Sequence, residues 1–329
     1  MTRSEFEFID SLRRRFGGGI GDDAAVFHSR AGKETVITTD LLVEDIDFRR
    51  TTTPALLLGH KALAVSLSDI AAMGARPRWS LISIAVPDDV WQTDFVDQFY
   101  EGLASLAQRY DVRLIGGDTS RTNEKIVIDS IVVGECNISQ AVKRVGAQPG
   151  EHIFVTGSLG GAAAGLRLIE RGAHFAEENL ADDDSQKIDH VLLRQLRPEP
   201  RVGWGIVLGQ ERLVTAMIDI SDGLSSDLNH LCAASGVGAL IESSLLPIDH
   251  QVVELCGRRA LDPLQLALHG GEDFELLFTV KAESIARLPR RVDGVEITRI
   301  GEVTKETDGV RISEGPRLWE LTPGGWKHF

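Results

Sequence analysis

The sequence predicts a mixed α/β protein built from two domains, and three observations support that fold class. Short β-rich runs alternate with amphipathic helical stretches along the chain, a pattern typical of sheets covered by helices. The 329 residues exceed the size of one small core. A turn signal at Gln148-Pro149-Gly150 predicts a boundary between an N-terminal domain, residues 1–147, and a C-terminal domain, residues 148–329.

Apolar periodicity predicts the elements of the N-terminal domain. Two amphipathic helices are expected, Pro54 to Met73 and Val90 to Tyr110, because apolar residues recur at helical spacing in both. A strand from Glu34 to Thr39 is expected to end at Asp40. Two further β-rich runs bounded by turn signals predict strands from Trp79 to Val86 and from Ile126 to Gly134.

The C-terminal domain is predicted to open with a strand, Ile153 to Thr156, that runs through a glycine-rich turn into a helix ending at Arg171. An acidic stretch, Glu177 to Asp184, is expected to be a solvated loop. The remaining predicted elements are a strand from Ala216 to Asp219, a helix from Gly223 to Ser235 and a strand from Glu275 to Val280.

Composition argues against several classes of function. The chain has 35 Lys and Arg against 49 Asp and Glu, a net charge of −14, which disfavours nucleic-acid binding through phosphate contacts. No apolar run reaches the roughly 18 residues of a membrane span, and Met1 to Phe16 does not have the pattern of a signal peptide. Cys136, Cys232 and Cys256 are isolated, which favours a reducing compartment. We therefore expect a cytoplasmic protein with no nucleic-acid or membrane partner.

Aspartates gather in short motifs beside Gly, Ser and Thr. These motifs are Gly19 to Asp23, Thr38 to Asp40, Leu67 to Asp69, Gly116 to Asp118 and Asp219 to Gly223. Carboxylate and hydroxyl oxygens are ligands that Mg²⁺ prefers, and Mg²⁺ usually shares them with water and phosphates. Each motif alone is also typical of a turn, a helix N-cap or a solvated carboxylate. Five together in a very acidic chain favour a magnesium site, and the cations would offset repulsion between the chain and a nucleotide.

Several competing motifs are absent from the sequence. It contains no P-loop, no protein-kinase catalytic loop, and neither H-E-x-x-H nor paired C-x-x-C. The Asp219 to Gly223 motif lacks the Glu that ends a calcium loop. Gly157 to Gly165 has two equally good interpretations, a phosphate-binding strand–loop–helix or close packing of the helix on the strand.

Seven segments that cover nearly the whole chain resemble, in this order, the thiamine-monophosphate kinase family of the aminoimidazole ribonucleotide synthetase superfamily. They are GIGDDAAV (Gly19 to Val26), TTDLLVE (Thr38 to Glu44), HKALAVSLSDIAAMGA (His60 to Ala75), LIGGDTSR (Leu114 to Arg121), AMIDISDGLSSDL (Ala216 to Leu228), LHGGEDFELLFTV (Leu268 to Val280) and GGWKHF (Gly324 to Phe329). The order of these segments makes the resemblance specific.

The resemblance implies a two-domain fold and a homodimer in which the N-terminal sheet pairs with the same sheet of the second subunit. It also implies an active site in the cleft between the two domains. The positions that match magnesium ligands are Asp23, Thr38, Thr39, Asp40, Asp69, Asp118, Asp219 and Asp222. The positions that match ATP contacts are Tyr100, Gly117, Asp118, Arg144 and Ser221. The positions that match contacts to the thiamine substrate are Glu272 and Trp326. Asp47 stands in the loop where family members usually carry a substrate-contacting His.

The implied reaction is transfer of the γ-phosphoryl group of ATP, the co-substrate, to thiamine monophosphate, assisted by several Mg²⁺ ions. The acceptor phosphate is largely a dianion at neutral pH, since its second pKa is about 6, so no strong base is required. Asp40, Asp118 and Asp219 are the expected catalytic residues, because metal ions that they hold would bridge the phosphates. Arg144 would contact the nucleotide phosphates, and Trp326 the cationic thiazolium.

The sequence alone is also compatible with purely structural roles for several of these residues. Arg144 also fits a solvated position between domains, Glu272 a turn and Trp326 a core position. Another ATP-dependent enzyme of the same superfamily, a two-metal phosphohydrolase and a non-catalytic nucleotide or metal sensor are the alternative functions, because a fold does not fix a substrate.

Overall fold

The computed structural model describes residues 24–30, 32–175, 183–259 and 261–326. The N-terminal part contains a five-stranded sheet in the order β1-β2-β5-β3-β4, in which only β3 and β4 pair in parallel. Its strands are β1 (Ala25–Arg30), β2 (Lys33–Val43), β3 (Arg76–Val86), β4 (Arg113–Arg121) and β5 (Val127–Asn137). β4 is an edge strand, and all its residues are exposed.

Three helices accompany this sheet, α1 (Ala55–Ala72), α2 (Asp88–Trp91) and α3 (Phe95–Arg109). α1 packs against α3 at very short range, because a Cβ on Gly59 would meet the Phe99 carbonyl oxygen at 1.8 Å and one on Gly102 would meet that of Leu56 at 1.8 Å. Lys61 and Asp69 interrupt the apolar sequence of α1, which is why no uninterrupted apolar run was found, but by length and mean hydropathy the 18-residue helix could cross a membrane; 89% of it is buried inside the molecule. Such burial is typical of the central helix of a folded core.

The C-terminal part contains an eight-stranded sheet in the order β13-β12-β8-β11-β6-β9-β7, with β10 paired to β11. Its strands are β6 (His152–Thr156), β7 (Ala216–Asp219), β8 (Val237–Glu242), β9 (Leu276–Val280), β10 (Arg291–Val292), β11 (Val295–Lys305), β12 (Val310–Glu314) and β13 (Arg317–Glu320). Its helices are α4 (Gly161–Glu170), α5 (Asp183–Leu196), α6 (Val202–Gln210), α7 (Leu224–Ser235), α8 (His250–Arg259) and α9 (Pro263–His269).

One hydrophobic core runs across the junction between the two parts. Ile70 and Met73 from the end of α1 belong to the same buried cluster as Trp204 of α6, Met217 of β7 and Phe278 of β9. The backbones of α1 and α6 nearly touch, since a Cβ on Gly205 would meet the Ala71 carbonyl oxygen at 2.2 Å. The predicted boundary after residue 147 therefore stays a prediction, because side chains from both sides of it share this core.

The predicted mixed α/β class is confirmed, and most predicted elements lie within a few residues of their observed bounds. The strand expected to end at Asp40 instead continues to Val43, because β5 pairs with it along its full length. The helix expected from Val90 to Tyr110 is broken into α2 and α3, and the Thr93 hydroxyl binds the Val90 carbonyl oxygen at 2.7 Å in the break.

Two further segments add to the comparison with the sequence. Gly116 to Asp118 lie inside β4, a strand that was not predicted, so the turn that was the alternative interpretation of this motif does not form. Gly117 has no room for a side chain there, because a Cβ would meet the Ile82 carbonyl oxygen of β3 at 1.9 Å. Asp183 and Asp184, expected in a solvated loop, begin α5, while the preceding part of that loop, 177–182, lies outside the described residues.

Candidate active site

A cavity of about 630 Å³ lies between the two parts of the chain. β2 and the loop after it form one wall, and α4, α9 and the loops at 221–222 and 270–274 form the other, with residues 324–326 at its edge. Six residues named from the sequence line it: Asp40, Asp47, Ser221, Asp222, Glu272 and Trp326. The structure thus brings together residues that are up to 286 positions apart, Asp40 and Trp326.

The lining of this cavity combines apolar surface with an excess of negative charge. Its carboxylates belong to Asp40, Asp47, Glu170, Asp222 and Glu272. Arg167 also lines it, but its guanidinium is paired with Glu170 at 2.8 Å. Low-dielectric walls of one charge sign concentrate a ligand of the opposite sign. The cavity therefore suits an organic cation, or an anion that arrives with metal ions.

Helix α1 orients three of the predicted magnesium residues. The Ser66 hydroxyl donates to Asp40 of β2 at 2.6 Å, and the Ser68 hydroxyl donates to Asp219 at the end of β7 at 2.6 Å. Asp69, also on α1, accepts a short hydrogen bond from the Thr38 hydroxyl. Carboxylates from both parts of the chain are thereby attached to one helix.

The pleat of the N-terminal sheet separates the other predicted magnesium residues from this group. Thr39 projects from the opposite face of β2, where its hydroxyl donates to Asp129 at 2.6 Å. Asp118 is in register with Ser83, which is itself in register with Asp129, so Asp118 shares that opposite face. Three strand spacings of about 4.8 Å place Asp118 roughly 14 Å along the sheet from Asp40.

No group of three or more His, Cys, Asp or Glu side chains converges tightly enough to hold a metal ion by itself within the described residues. Asp23 lies outside that part of the chain. Four of the five predicted nucleotide contacts, Tyr100, Gly117, Asp118 and Arg144, are not among the residues that line the cavity. Tyr100 lies on α3 with its ring edge-on to Phe99 at 5.4 Å, and burial raises the pKa of its hydroxyl.

Glu272 is held from two sides at the cavity wall. Lys61 of α1 approaches its Oε1 at 2.6 Å, and the Gln195 amide of α5 donates a short hydrogen bond to Oε2. Its backbone has a positive φ of 64°, and its N–H donates to the Ser221 carbonyl at 2.7 Å. Lys61 and Gln195 were not predicted, because only the tertiary fold brings α1, α5 and this loop together.

The start of α4 resolves the two interpretations of Gly157 to Gly165 in favour of packing. Asp273 already occupies this helix N-terminus, accepting hydrogen bonds from the N–H groups of Gly160 at 2.7 Å and Ala162 at 3.2 Å. A Cβ on Gly165 would meet the Val191 carbonyl oxygen at 2.1 Å. The glycines therefore serve the close approach of α4 to its neighbours, and a side-chain carboxylate takes the place of a phosphate.

Two buried acids, Asp273 and Glu275, follow Glu272, and their pKa values are shifted in opposite directions. Burial raises the pKa of Asp273 to about 6, against the effect of Arg194 and the helix N–H groups. Burial alone would raise the pKa of Glu275 too, but the Arg201 guanidinium, together with Arg194 and the Thr156 hydroxyl, outweighs burial and lowers that pKa. These two ion pairs fix the loop that carries Glu272.

The raised pKa of Asp273 predicts how stability depends on pH. Because the folded state binds this proton more tightly than an exposed carboxyl of pKa 3.8 does, the contribution of Asp273 to the free energy of unfolding increases as the pH falls from about 6 to 4. The change is about 3 kcal/mol at most. Urea unfolding at pH 7.5 and 4.5 isolates this contribution: the free energy of unfolding of the native protein, relative to that of Asp273→Asn, should be larger at pH 4.5 than at pH 7.5. An equal difference between the two proteins at both pH values would contradict it.

The C-terminal segment is attached to the start of α7 and holds Trp326 at the cavity edge. The N–H groups of Gly324 and Gly325 donate to the hydroxyls of Ser225 and Ser226, each at 3.2 Å. The Trp326 N–H donates to the Asp222 carbonyl at 3.2 Å, and its side chain is 51% exposed. Trp326 therefore does not fill the core, which was the alternative interpretation of this residue.

Family models match both parts of the chain. The model for the AIR synthase related protein N-terminal domain matches residues 21–136, and that for the C-terminal domain matches residues 148–313. The chain accordingly has the two domains of an AIR synthase related protein.

Individual relatives narrow this class. Thiamine-monophosphate kinase of Bacillus subtilis (strain 168) is 37% identical over 334 residues, which cover 99% of each chain. The solved structure of AaThiL complexed with AMPPCP and TMP is 34% identical, covers 99% of this chain and 97% of that chain, and has a TM-score of 0.86. Thiamine-monophosphate kinase from Stenotrophomonas maltophilia K279a is 38% identical, with 95% and 98% coverage and a TM-score of 0.77. The chain belongs to the thiamine-monophosphate kinase family.

Proposed function

We propose that this protein transfers the γ-phosphoryl group of ATP to thiamine monophosphate, forming ADP and thiamine diphosphate. The observation that carries the proposal is the full-length likeness to AaThiL complexed with AMPPCP, an ATP analogue, and TMP. The cavity between the two parts of the chain supports it, because its acidic and partly apolar lining suits the cationic, aromatic thiamine moiety.

The substrate half of the proposed site is formed by Glu272, Trp326 and Asp47. Trp326 presents a half-exposed ring at the cavity edge, where it would attract the thiazolium through a cation–π interaction. Asp47 is fixed by a hydrogen bond of 2.7 Å from the Val43 N–H. A carboxylate at this position adds attraction for the cationic substrate, where a neutral His would only form a hydrogen bond.

Magnesium ions would be held by the predicted ligands Asp23, Thr38, Thr39, Asp40, Asp69, Asp118, Asp219 and Asp222. The donor chemistry fits, because all are hard oxygen donors and hydroxyls of α1 and β2 orient three of the carboxylates. When bound, Mg²⁺ would neutralise charge on the reacting phosphates. Since Asp40 and Asp118 lie on opposite faces of the sheet, we infer that they serve different ions.

The nucleotide would contact Tyr100, Gly117, Asp118, Arg144 and Ser221. Of these residues, Ser221 lines the cavity, and Gly117 and Asp118 lie on the exposed edge strand β4. The catalytic contribution of Asp40, Asp118 and Asp219 is positional, because the acceptor phosphate is already ionised and requires no base. Ser66 and Ser68 would keep Asp40 and Asp219 in place during turnover.

A homodimer through the N-terminal sheet is part of the proposal. The nine residues of β4 are all exposed, including Leu114 at 44% and Ile115 at 59%. An exposed edge strand with apolar side chains is normally covered by another chain or element, and a second copy of this chain would cover it symmetrically. A molar mass near twice 35.9 kDa in light scattering would support the dimer; a monomer would overturn the dimer without affecting the proposed reaction.

We further propose a cytoplasmic location with no nucleic-acid or membrane partner. The net charge of −14 supports the absence of sequence-independent nucleic-acid binding. Burial of α1, the one apolar helix of sufficient length in the described part of the chain, gives it no surface to offer a bilayer.

The reaction is tested by measuring ADP release with ATP and Mg²⁺ in the presence of thiamine, thiamine monophosphate or aminoimidazole precursors. We expect release only with thiamine monophosphate and formation of an equal amount of thiamine diphosphate. Phosphate release without an acceptor would indicate a phosphohydrolase. Calorimetric ATP binding with no turnover on any acceptor would indicate a sensor, and ADP release with another acceptor would indicate a different enzyme of the superfamily.

A further inference from the structure

Lys61 is a buried cation to which no step of the proposed reaction assigns a role. It lies on α1, is 2% exposed and places its Nζ 2.6 Å from Glu272 Oε1. Removing an ammonium group from water costs several kcal/mol unless a charged partner and hydrogen bonds compensate it. The compensating partner here is a residue on the wall of the cavity, so the pair ties the interior of the N-terminal part to the proposed substrate site.

Glu272 is immobilised more completely than a surface carboxylate. Lys61 engages Oε1, and Gln195 donates to Oε2, so helices from both parts of the chain hold the two oxygens. The backbone of Glu272 is left-handed, with φ 64°, a strained conformation for a residue other than glycine that persists only when its surroundings impose it. Asp273 and Glu275, which follow it in the chain, are anchored by their own buried contacts.

This arrangement defines what Glu272 offers a ligand. Its negative charge is balanced by Lys61 at contact distance, so it is a weak counter-charge for a cation. Each carboxylate oxygen has two lone pairs, and the side chain remains 30% exposed toward the cavity. A carboxylate fixed in direction with its charge balanced is best suited to accept a hydrogen bond from an N–H group of the ligand.

We propose that Lys61 and Gln195 are positioning residues that hold Glu272 as a directional hydrogen-bond acceptor for an amino group of the thiamine substrate. The inference rests on the proposed function, because it assigns a task within that site. The task is recognition of the substrate and not chemistry on the phosphates. Loss of Lys61 should therefore weaken binding of thiamine monophosphate and leave ATP binding unchanged.

The test compares Lys61→Met, Glu272→Gln and the double variant in steady-state kinetics and in calorimetric binding of thiamine monophosphate. Lys61→Met removes the charge and keeps a chain of similar length. We expect its KM for thiamine monophosphate to rise 10- to 100-fold, with KM for ATP within twofold. If Lys61 acts through Glu272, the double variant should have the same KM for thiamine monophosphate as Glu272→Gln alone.

Thermal unfolding of the same variants gives a second, independent readout. Glu272→Gln leaves the Lys61 ammonium buried without its charge partner and should be the least stable of the three. Adding Lys61→Met to it should restore stability, since the unpaired charge is then removed. The matched control is Lys187→Met. Lys187 pairs with Glu254 at 2.7 Å, away from the cavity, so this variant also breaks a Lys–Glu pair but should leave both KM values unchanged.

Each result has a distinct meaning. Equal increases of both KM values in Lys61→Met, or additive effects in the double variant, would make Lys61 a merely structural tie and overturn the inference. An unchanged KM for thiamine monophosphate in folded Glu272→Gln would overturn it as well, while native turnover would leave the proposed function standing. Absence of turnover in the native protein would overturn the proposed function, and this inference with it.

Discussion

Replacing Asp40 or Asp118 by alanine is expected to lower turnover at least about a thousandfold, which corresponds to about 4 kcal/mol of transition-state stabilisation. Both carboxylates are proposed ligands of ions that neutralise the phosphates, and alanine provides no oxygen to hold such an ion. Steady-state kinetics at saturating ATP and thiamine monophosphate measure the loss.

Both variants should remain folded, for different reasons. Ser66, which donates to Asp40, also lies 3.1 Å from the Ser130 carbonyl oxygen and 2.9 Å from its hydroxyl, so its hydroxyl keeps a partner when Asp40 is lost. Asp118 is exposed on β4 and bonds the N–H of its neighbour Thr119 at 2.9 Å. Circular dichroism verifies the fold, and Asp94→Ala at the exposed start of α3 is the control. Near-native rates in folded Asp40→Ala or Asp118→Ala would remove that residue from the mechanism.

Removing divalent cations with EDTA is expected to reduce turnover to about 1% or less, and excess Mg²⁺ should restore it. The acidic cavity and the net charge of −14 repel a free triphosphate, so the nucleotide requires cations both to bind and to react. Substantial turnover in EDTA would contradict the assignment of the carboxylates to metal ions.

The melting temperature gives a second test of Mg²⁺ binding that does not depend on activity. A ligand that binds only the folded state stabilises it according to its concentration and affinity, so Mg²⁺ should raise the melting temperature of the native protein. The rise should be smaller in Asp40→Ala, because one proposed ligand is missing. An identical rise in both proteins would indicate that Mg²⁺ binds elsewhere.

The bounds of helices and strands were predictable where the pattern of apolar residues in the sequence is clear. α1 and β7 were predicted nearly to the residue, because α1 combines a long apolar run with a Pro at its start and β7 is a short apolar run before an acidic turn. β4 was not predicted as a strand, since an edge strand exposed on both faces has no alternation of polar and apolar residues to reveal it.

The site was predictable as a set of residues but not as an arrangement. Glu272 and Trp326 were named through a family resemblance, and the structure places both at one cavity. Which residues hold them was not predictable, since Lys61 is 211 positions and Gln195 is 77 positions from Glu272. The pleat that separates Thr39 and Asp118 from Asp40 follows from strand register, which depends on pairing between distant segments.

The core that crosses the domain junction has a consequence for how this architecture can vary. Trp204, Met217 and Phe278 are buried against residues of the N-terminal part, so severing the chain at residue 147 would expose an apolar surface on each fragment. We therefore expect neither half to be stable alone, and we expect exchange of one half between relatives to require compensating changes in the other. Substitutions in the cavity loops can therefore change which substrate is preferred, whereas substitutions in the shared core of one half require matching substitutions in the other half.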